Sequence, residues 1–315
     1  MVLMVWGGSM KWLTTCIIAA FAVVANCLKV SAGGIAFILQ ANTGVPHIFL
    51  MNPGSGVTQL TSGPYGDSPL SWSKDGSKIA YAESQNGIGI YTIAASGWKR
   101  RRLSPSPGRD FFPDWSPDGR KLVFNHLVAM PSPPALPITA IMTMNSADGS
   151  NRRTILYNGT SFLVEPRWSP DGSKIVFWGN LNTPTFQIYK MNADGTNVQQ
   201  LTNSGNSNAD PNWSPDGTKI SFGSDRNGGN VNIFVMNADG SNVQQLTTFT
   251  EPQESGDTDW SLDGTKLAFE WDIGGDRQSN PDAYAEVWTM NSDGTNQRTT
   301  GQQCSGVGCS PRWQP

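Results

Sequence analysis

The stretch Trp213-Ser214-Pro215-Asp216-Gly217-Thr218-Lys219-Ile220-Ser221-Phe222 decides the fold, because the chain repeats it. A tryptophan, a Ser-x-Asp-Gly turn, a lysine and a short apolar run closed by an aromatic recur at 72–81, 115–124, 168–177 and 260–269, and Trp313 opens a sixth copy. The turn has a local cause. Proline presets φ at the first corner, aspartate accepts a backbone N–H, and glycine takes the positive-φ position that closes a hairpin.

Each copy continues into a second strand pair, as in Ile188-Tyr189-Lys190-Met191-Asn192, the turn Ala193-Asp194-Gly195 and a polar run ending Gln200-Leu201-Thr202. The tryptophans are spaced 43, 53, 45, 47 and 53 residues apart, and each interval holds four short alternating segments. That is the arithmetic of a four-stranded propeller blade. Segments 34–37, 47–52 and 57–61 match the second, third and fourth strands that the sixth copy lacks. The sequence therefore predicts an all-β, six-bladed β-propeller of four-stranded antiparallel blades over residues 33–315. Its ring is closed by N-terminal strands pairing with a C-terminal strand at 312–314, which removes an open sheet edge.

Composition agrees. Of 315 residues, 34 are Gly, 21 Pro and 12 Trp, and only 15% are charged, which excludes a coiled coil or helical bundle. Gly has no three-residue period, so collagen is excluded as well. A net charge of -3 gives no general attraction to nucleic acid or anionic lipid. Residues 1–32 differ from the rest: Lys11, an apolar run from Trp12 to Leu28, then Val30-Ser31-Ala32. This reads as a secretory signal peptide, with a retained anchor or a lipidated Cys27 as lesser readings. Export to an oxidising compartment makes Cys304 and Cys309, five residues apart, a disulfide loop; zinc would need two further ligands.

The five Trp-Ser-x-Asp-Gly turns, and the Met-Asn-Ala-Asp-Gly turns that start at Met191 and Met236, resemble the propeller repeats of TolB, also described as WD40-like or PD40 repeats. Ser224-Asp225-Arg226-Asn227-Gly228 fits the loop usual in that family, and the resemblance spans nearly all of 34–315. TolB proper carries an α/β domain before its propeller, which this sequence is not expected to contain. Similar repeats occur in peptidases beside an α/β-hydrolase domain and in some polysaccharide lyases, so the resemblance implies a fold more firmly than an activity.

Shortly before the tryptophans stand Asp67, Asp110, Glu165, Asp210 and Asp257, with Ser310 in the sixth copy. Repetition is expected to array them around a channel mouth, on the face opposite the Asp-Gly hairpins, with Asp67 and Asp110 two residues further from their tryptophans. Converging carboxylates repel and raise each other's pKa unless a cation sits among them. Glu165, Asp210 and Asp257 are thus candidate ligands for a divalent cation such as calcium, or for a cationic group of a partner. The plainer reading is solvated loop starts that cap backbone N–H groups.

Two copies are longer between their second and third strands, at 126–137 and 271–285, and these blades would face each other across the ring. Trp271, Asp272, Asp276, Arg277, Asp282 and Tyr284 offer aromatic and charged contacts for a peptide or glycan. Lys99-Arg100-Arg101-Arg102 and Arg152-Arg153 read as basic outer edges. His47 is expected at an exposed position before a third strand, and His126 at the start of a long loop. There is no Gly-x-Ser-x-Gly elbow, phosphate-cradling loop or His-Glu-x-x-His pair.

These features favour an exported, periplasmic or secreted binding or scaffold propeller, without catalysis or organic cofactor. Its partner would be an envelope or extracellular protein, peptide or glycan held at the channel mouth, and no nucleic acid. The alternative is a carbohydrate-active enzyme, a polysaccharide lyase or glycosidase, using acids at the channel mouth with His126 or Tyr284.

Overall fold

Hairpin turns and alternating apolar residues leave the chain little choice but antiparallel sheet. The computed structural model describes residues 34–40, 45–52, 56–85, 87–133, 135–181, 183–227, 229–250, 253–273, 284–304 and 309–315. Residues 1–32, the expected leader, lie outside the described residues. Among those described, no helix is long and apolar enough to cross a membrane.

The Ser-x-Asp-Gly turn is built the same way each time. In the copy at 213–222, Ser214 Oγ donates to Asp216 Oδ1 at 2.6 Å and accepts from the Lys219 amide at 2.9 Å, while the Thr218 amide donates to Asp216 Oδ1 at 3.0 Å. Gly217 closes it at φ +70°.

The strands are β1 (Ile35–Gln40), β2 (Pro46–Asn52) and β3 (Gly56–Gln59), followed by β4 (Asp67–Trp72), β5 (Lys78–Glu83), β6 (Gly87–Ala94) and β7 (Arg101–Arg102). Next come β8 (Gly108–Trp115), β9 (Lys121–Ala129), β10 (Ile138–Asn145) and β11 (Arg153–Leu156), then β12 (Leu163–Trp168), β13 (Lys174–Gly179), β14 (Gln187–Asn192) and β15 (Gln199–Gln200). The last nine are β16 (Asn208–Trp213), β17 (Lys219–Ser224), β18 (Asn232–Asn237), β19 (Gln244–Gln245), β20 (Gln253–Trp260), β21 (Lys266–Ile273), β22 (Tyr284–Asn291), β23 (Arg298–Cys304) and β24 (Arg312–Trp313).

They form an all-β propeller of four-stranded antiparallel blades. Four sheets have four strands each, ordered β24-β1-β2-β3, β12-β13-β14-β15, β16-β17-β18-β19 and β20-β21-β22-β23. The other eight strands form one sheet, in which β4–β7 and β8–β11 touch through the parallel pairs Gly87↔Gly108 and Ile88↔Arg109. The first strand in each group neighbours the next: β4 with β8, β8 with β12, β12 with β16, β16 with β20, β20 with β24, and β24 with β4. At the junction of the chain ends, Ile35 pairs with Trp313 and Ala36 with Arg312.

Each repeated tryptophan fills the gap against the preceding group. Trp72 packs on Ala36, Ile38 and Ile48, Trp115 on Ala80 and Ile90, Trp213 on Val176 and Ile188, and Trp260 on Ile233 and Val235. The closing aromatics stack on their cross-strand partners, Tyr81 on Tyr91 at 5.9 Å, Phe177 on Tyr189 at 5.5 Å and Phe222 on Phe234 at 5.8 Å. These aromatics are the interior, and truncating one such side chain to Ala typically costs about 3–5 kcal/mol.

The second turn in each blade has its own reason for glycine. A Cβ on Gly195 (φ +91°) would meet Ile155 O at 1.9 Å, and one on Gly240 (φ +91°) would meet Leu201 O at 2.9 Å, so these turns lean on the backbone of the preceding blade. Gly205 (φ +77°) has open space around it. Gly205→Ala should therefore cost only the left-handed strain, about 1–2 kcal/mol. Gly195→Ala should cost clearly more; equal losses in a denaturant titration would contradict this packing.

Candidate functional site

The inner strands carry a bulge at a repeated place. Register shifts fall between Phe111 and Asp114, Val164 and Arg167, Ala209 and Asn212, and Gly256 and Asp259. Within or beside them, three residues before each tryptophan, non-glycine residues adopt positive φ: Phe112 (51°), Glu165 (50°), Asp210 (53°), Asp257 (44°) and Ser310 (39°). Such strain persists only where surrounding structure holds it, and it gathers at functional sites. In β4 the equivalent residue is Pro69, whose ring forbids positive φ.

The bulges bring Glu165, Asp210 and Asp257 together from β12, β16 and β20. They come from three different inner strands. Burial raises the Glu165 carboxyl, and the charge of Asp257 raises it further. Burial likewise lifts Asp210 well above its ordinary value, helped by the charges of Glu165 and Asp257. Glu165 and Asp210 therefore lie close enough to perturb each other, with Glu165 making Asp210 harder to ionise. Asp257 behaves differently. Burial pushes it up, but Arg312, Ser310 and Arg167 outweigh burial and hold it below the usual range. Its Oδ1 lies 2.8 Å from Arg312 Nη2.

These three were the expected metal ligands. Among the described residues no three carboxylate, imidazole or thiolate groups are gathered as a metal would need them. Arg312 already supplies a cation to Asp257, and burial disfavours charge on Glu165 and Asp210.

A second tier, one residue before each tryptophan, was not anticipated: Ser71, Asp114, Arg167, Asn212, Asp259 and Arg312, which line one cavity. The Asp114-Trp115, Arg167-Trp168, Asp259-Trp260 and Arg312-Trp313 dipeptides carried the signal, since residues one and three before a tryptophan share a strand face. Asp114 accepts the Trp168 amide at 2.8 Å and Asp259 the Trp313 amide at 2.6 Å, each across a blade boundary. Burial lifts Asp259 to about 6.

Asp67 and Asp110 do not join this cluster. Asp67 accepts from Thr61 Oγ1 and lies 3.3 Å from His47 Nδ1, and burial raises it to about 6. Asp110 lies 2.7 Å from His126 Nδ1, accepts from Ser104 Oγ at 2.6 Å, and pairs with Arg152. The reason is a blade latch: Thr61 Oγ1 accepts the Ile48 amide, and Ser104 Oγ accepts the Ile90 amide. Asn208 holds the same position in β16, linked through Gln187 to Thr202.

Two surface expectations, those for the histidines, are corrected by the same packing. His47 is buried, 4% exposed, because its position belongs to the latch rather than to a loop edge. His126 lies inside β9, which runs on to Ala129, so the extra length at 126–137 partly lengthens a hairpin. The basic run does lie at an outer edge: Arg101 and Arg102 form β7, and Lys99, Arg100 and Arg101 are exposed, with Arg100 pairing with Glu83 and stacking on Tyr91 and Arg102 bonding Gln85 O at 2.9 Å.

The second long insertion begins on β21 and ends on β22. Trp271 packs 4.6 Å from Trp288 and 6.0 Å from Phe249 as part of a core cluster, and Asp272 and Tyr284 sit on the paired strand ends. Asp276, Arg277 and Asp282 lie outside the described residues. Cys304 is bonded to Cys309, with Cα atoms 5.4 Å apart. Beside it Glu270, not singled out from sequence, accepts the Cys309 amide at 2.8 Å; burial and the charge of Asp257 lift it to about 7.

Residues 140–277 match the family model described as the TolB beta propeller domain, PD40. An uncharacterised protein of Agrobacterium fabrum is 31% identical over 134 residues, 41% of this chain and 46% of that protein, so the match spans about half the length of this curated relative. Among solved structures, the chain is similar to TolB from Acinetobacter baumannii, with a TM-score of 0.71 at 22% identity over 90% of this chain and 67% of that one. It is also similar to a TolB candidate from Agrobacterium tumefaciens, at 0.65 and 22% over 88% and 90%. An oligogalacturonate lyase from Vibrio parahaemolyticus follows at 0.58 and 16%, over 84% and 73%. At such identities the likeness is one of fold.

Carboxyls with raised pKa hold protons in the folded chain that the unfolded chain releases. Their stabilisation is therefore full at low pH and is lost as pH rises through about 6 for Asp259 and about 7 for Glu270. Thermal midpoints should fall over that window. Asp210→Asn, which removes a carboxyl shifted the same way, should raise the midpoint at about pH 8 and change it little at about pH 4. A larger gain at acid pH would contradict the assignment.

Proposed function

Because this chain is a TolB-like β-propeller with PD40 repeats, we propose that it is an exported, non-catalytic binding module. Residues 1–32 would serve as its secretory leader, and residues 33–315 as the binding domain in the periplasm or outside the cell. Counting the eight-stranded sheet as two blades gives six, and the neighbour relations from β4 round to β24 support a closed ring. A ring creates one axial channel, and blades present their connecting loops at its mouths.

The observation that carries this reading is the strained group of buried Glu165 with half-buried Asp210 and Asp257 at the axis. Carboxyls gathered in a strained, poorly solvated place suit a hydrogen-bond donor or a cation from outside. A lysine or arginine side chain on an envelope protein or peptide has that chemistry, and an amino sugar of a glycan does as well. The insertions at 130–137 and 274–283, the latter with Asp276 and Arg277, would flank the entering segment.

Pull-down from envelope extract with tagged chain should recover a saturable partner and no reaction product. Asp210→Asn together with Glu165→Gln should lower recovery by about tenfold, the effect of one lost charge-assisted hydrogen bond, with the melting midpoint not lowered. Deleting 273–282 should also reduce recovery in a folded protein. Release of new reducing ends or unsaturated sugars from polyuronides, abolished by the same substitutions, would replace this reading with carbohydrate chemistry.

A further inference from the structure

The hairpin end of the channel is a separate place with its own chemistry. A cavity of about 170 Å3 opens there among Ser71, Asp114, Arg167, Asn212, Asp259 and Arg312. Its rim includes Pro215 and Leu262, each the second residue of its Trp-Ser-x-Asp-Gly turn counted from serine, which sets it at the hairpin face rather than the loop face.

The carboxylates around this cavity are already used, although Gln314 Oε1 on its rim has no partner. Asp114 takes the Trp168 amide, and Asp259 takes the Trp313 amide and Asn212 Nδ2, the last at 2.6 Å. The donors are not. Arg167 is 6% exposed, yet among the described residues its guanidinium donates no hydrogen bond; its charged contact is Asp114, 3.7 Å away. Arg312, 4% exposed, uses Nη1 on Pro311 O and Nη2 on Asp257, and its Nε has no partner. Ser71, 3% exposed, has no partner for its hydroxyl. A buried donor left unmet costs about 1–3 kcal/mol, more when charged, so Ser71 Oγ and Arg312 Nε, with the Arg167 guanidinium beside the same opening, call for an acceptor from outside.

We propose that this cavity binds a carboxylate group, taken between Arg167, Arg312 Nε and the Ser71 hydroxyl. A planar guanidinium matches a carboxylate edge, which a hydroxyl or amide acceptor satisfies less well. The neighbouring Asp114 and Asp259 disfavour ligands of higher negative charge, such as phosphate, and the volume admits a group of few heavy atoms. The carboxylate could belong to a small organic acid or to the C-terminus of a peptide. It makes this a second ligand site, for a different ligand class from the partner proposed for the axial acids, with Arg312 shared between the two.

Calorimetric titration of the full chain at constant ionic strength tests it, with acetate, N-acetyl-glycyl-glycine and the C-terminal amide of that dipeptide as probes. Saturable binding of a carboxylate probe and none of the amide is expected. Equal affinity for acetate and the peptide assigns the site to small acids, and tighter peptide binding assigns it to a chain terminus. Arg167→Gln and, separately, Ser71→Ala should each weaken binding by about tenfold. Ser71→Ala removes no charge and guards against a variant that fails to fold, which near-ultraviolet circular dichroism checks. Absence of saturable carboxylate binding, equal binding of the amide, or affinity indifferent to both substitutions would overturn the proposal.

Discussion

Two residue pairs, Ile35↔Trp313 and Ala36↔Arg312, join strands that stand at opposite ends of the described chain. The Gln314 amide donates to Gly34 O at 2.7 Å, and the Trp72 indole N–H reaches Arg312 O at 3.3 Å, so β24 is held on both sides. This short ladder does more than cover an edge. It sets Arg312 at the axis, where its guanidinium meets Asp257 and offsets the charge of Glu165 and Asp259. Without it the axial acids would face one another with Arg167 as the other neighbouring cation, and coulombic repulsion among buried carboxyls would oppose the bulges that bring them together. The same placement puts Arg312 among the residues that line the hairpin-end cavity, so one strand of two residues contributes to both groups of side chains.

The axis also shows how a repeat becomes specific. The Trp-Ser-x-Asp-Gly unit is copied almost unchanged, because a hairpin and an inter-blade tryptophan are needed in every blade. The residues one and three before the tryptophan carry no such duty, and they vary: Ser71, Asp114, Arg167, then Asn212, Asp259, Arg312. That series repeats after three blades as small polar, acid, guanidinium, and the acids fall on the two blades with long insertions. Opposite charges therefore alternate around the axis instead of accumulating, which makes a buried polar channel tolerable.

Strands, turns and the use of N-terminal segments beside β24 were legible in the sequence, because each rests on local chemistry repeated several times. The Ser214-Asp216-Gly217 turn and the stacking of Phe222 on Phe234 follow from residue type and period alone. The site was legible only in part. Glu165, Asp210 and Asp257 were found by their offset from tryptophan, but Asp67 and Asp110, two residues earlier, turn into blade latches with Thr61 and Ser104, a distinction set by packing across sheets. His47 was misplaced for the same reason, since burial at 4% exposure comes from a neighbouring blade that linear pattern does not reveal. Arg312 escaped notice because an arginine beside a tryptophan near a terminus carries no motif; only the ladder with β1 gives it meaning.

Hydrogen exchange on the full chain, read peptide by peptide, measures that ladder directly. The account predicts that amides at 35–38 and the Gln314 amide exchange as slowly as those of the β17–β18 pair, because opening them requires the same cooperative loss of inter-blade packing. Exchange of the 312–315 segment at the rate of an unstructured peptide, with β17–β18 still protected, would contradict a ring held shut by its termini and, with it, the placement of Arg312 among the axial acids.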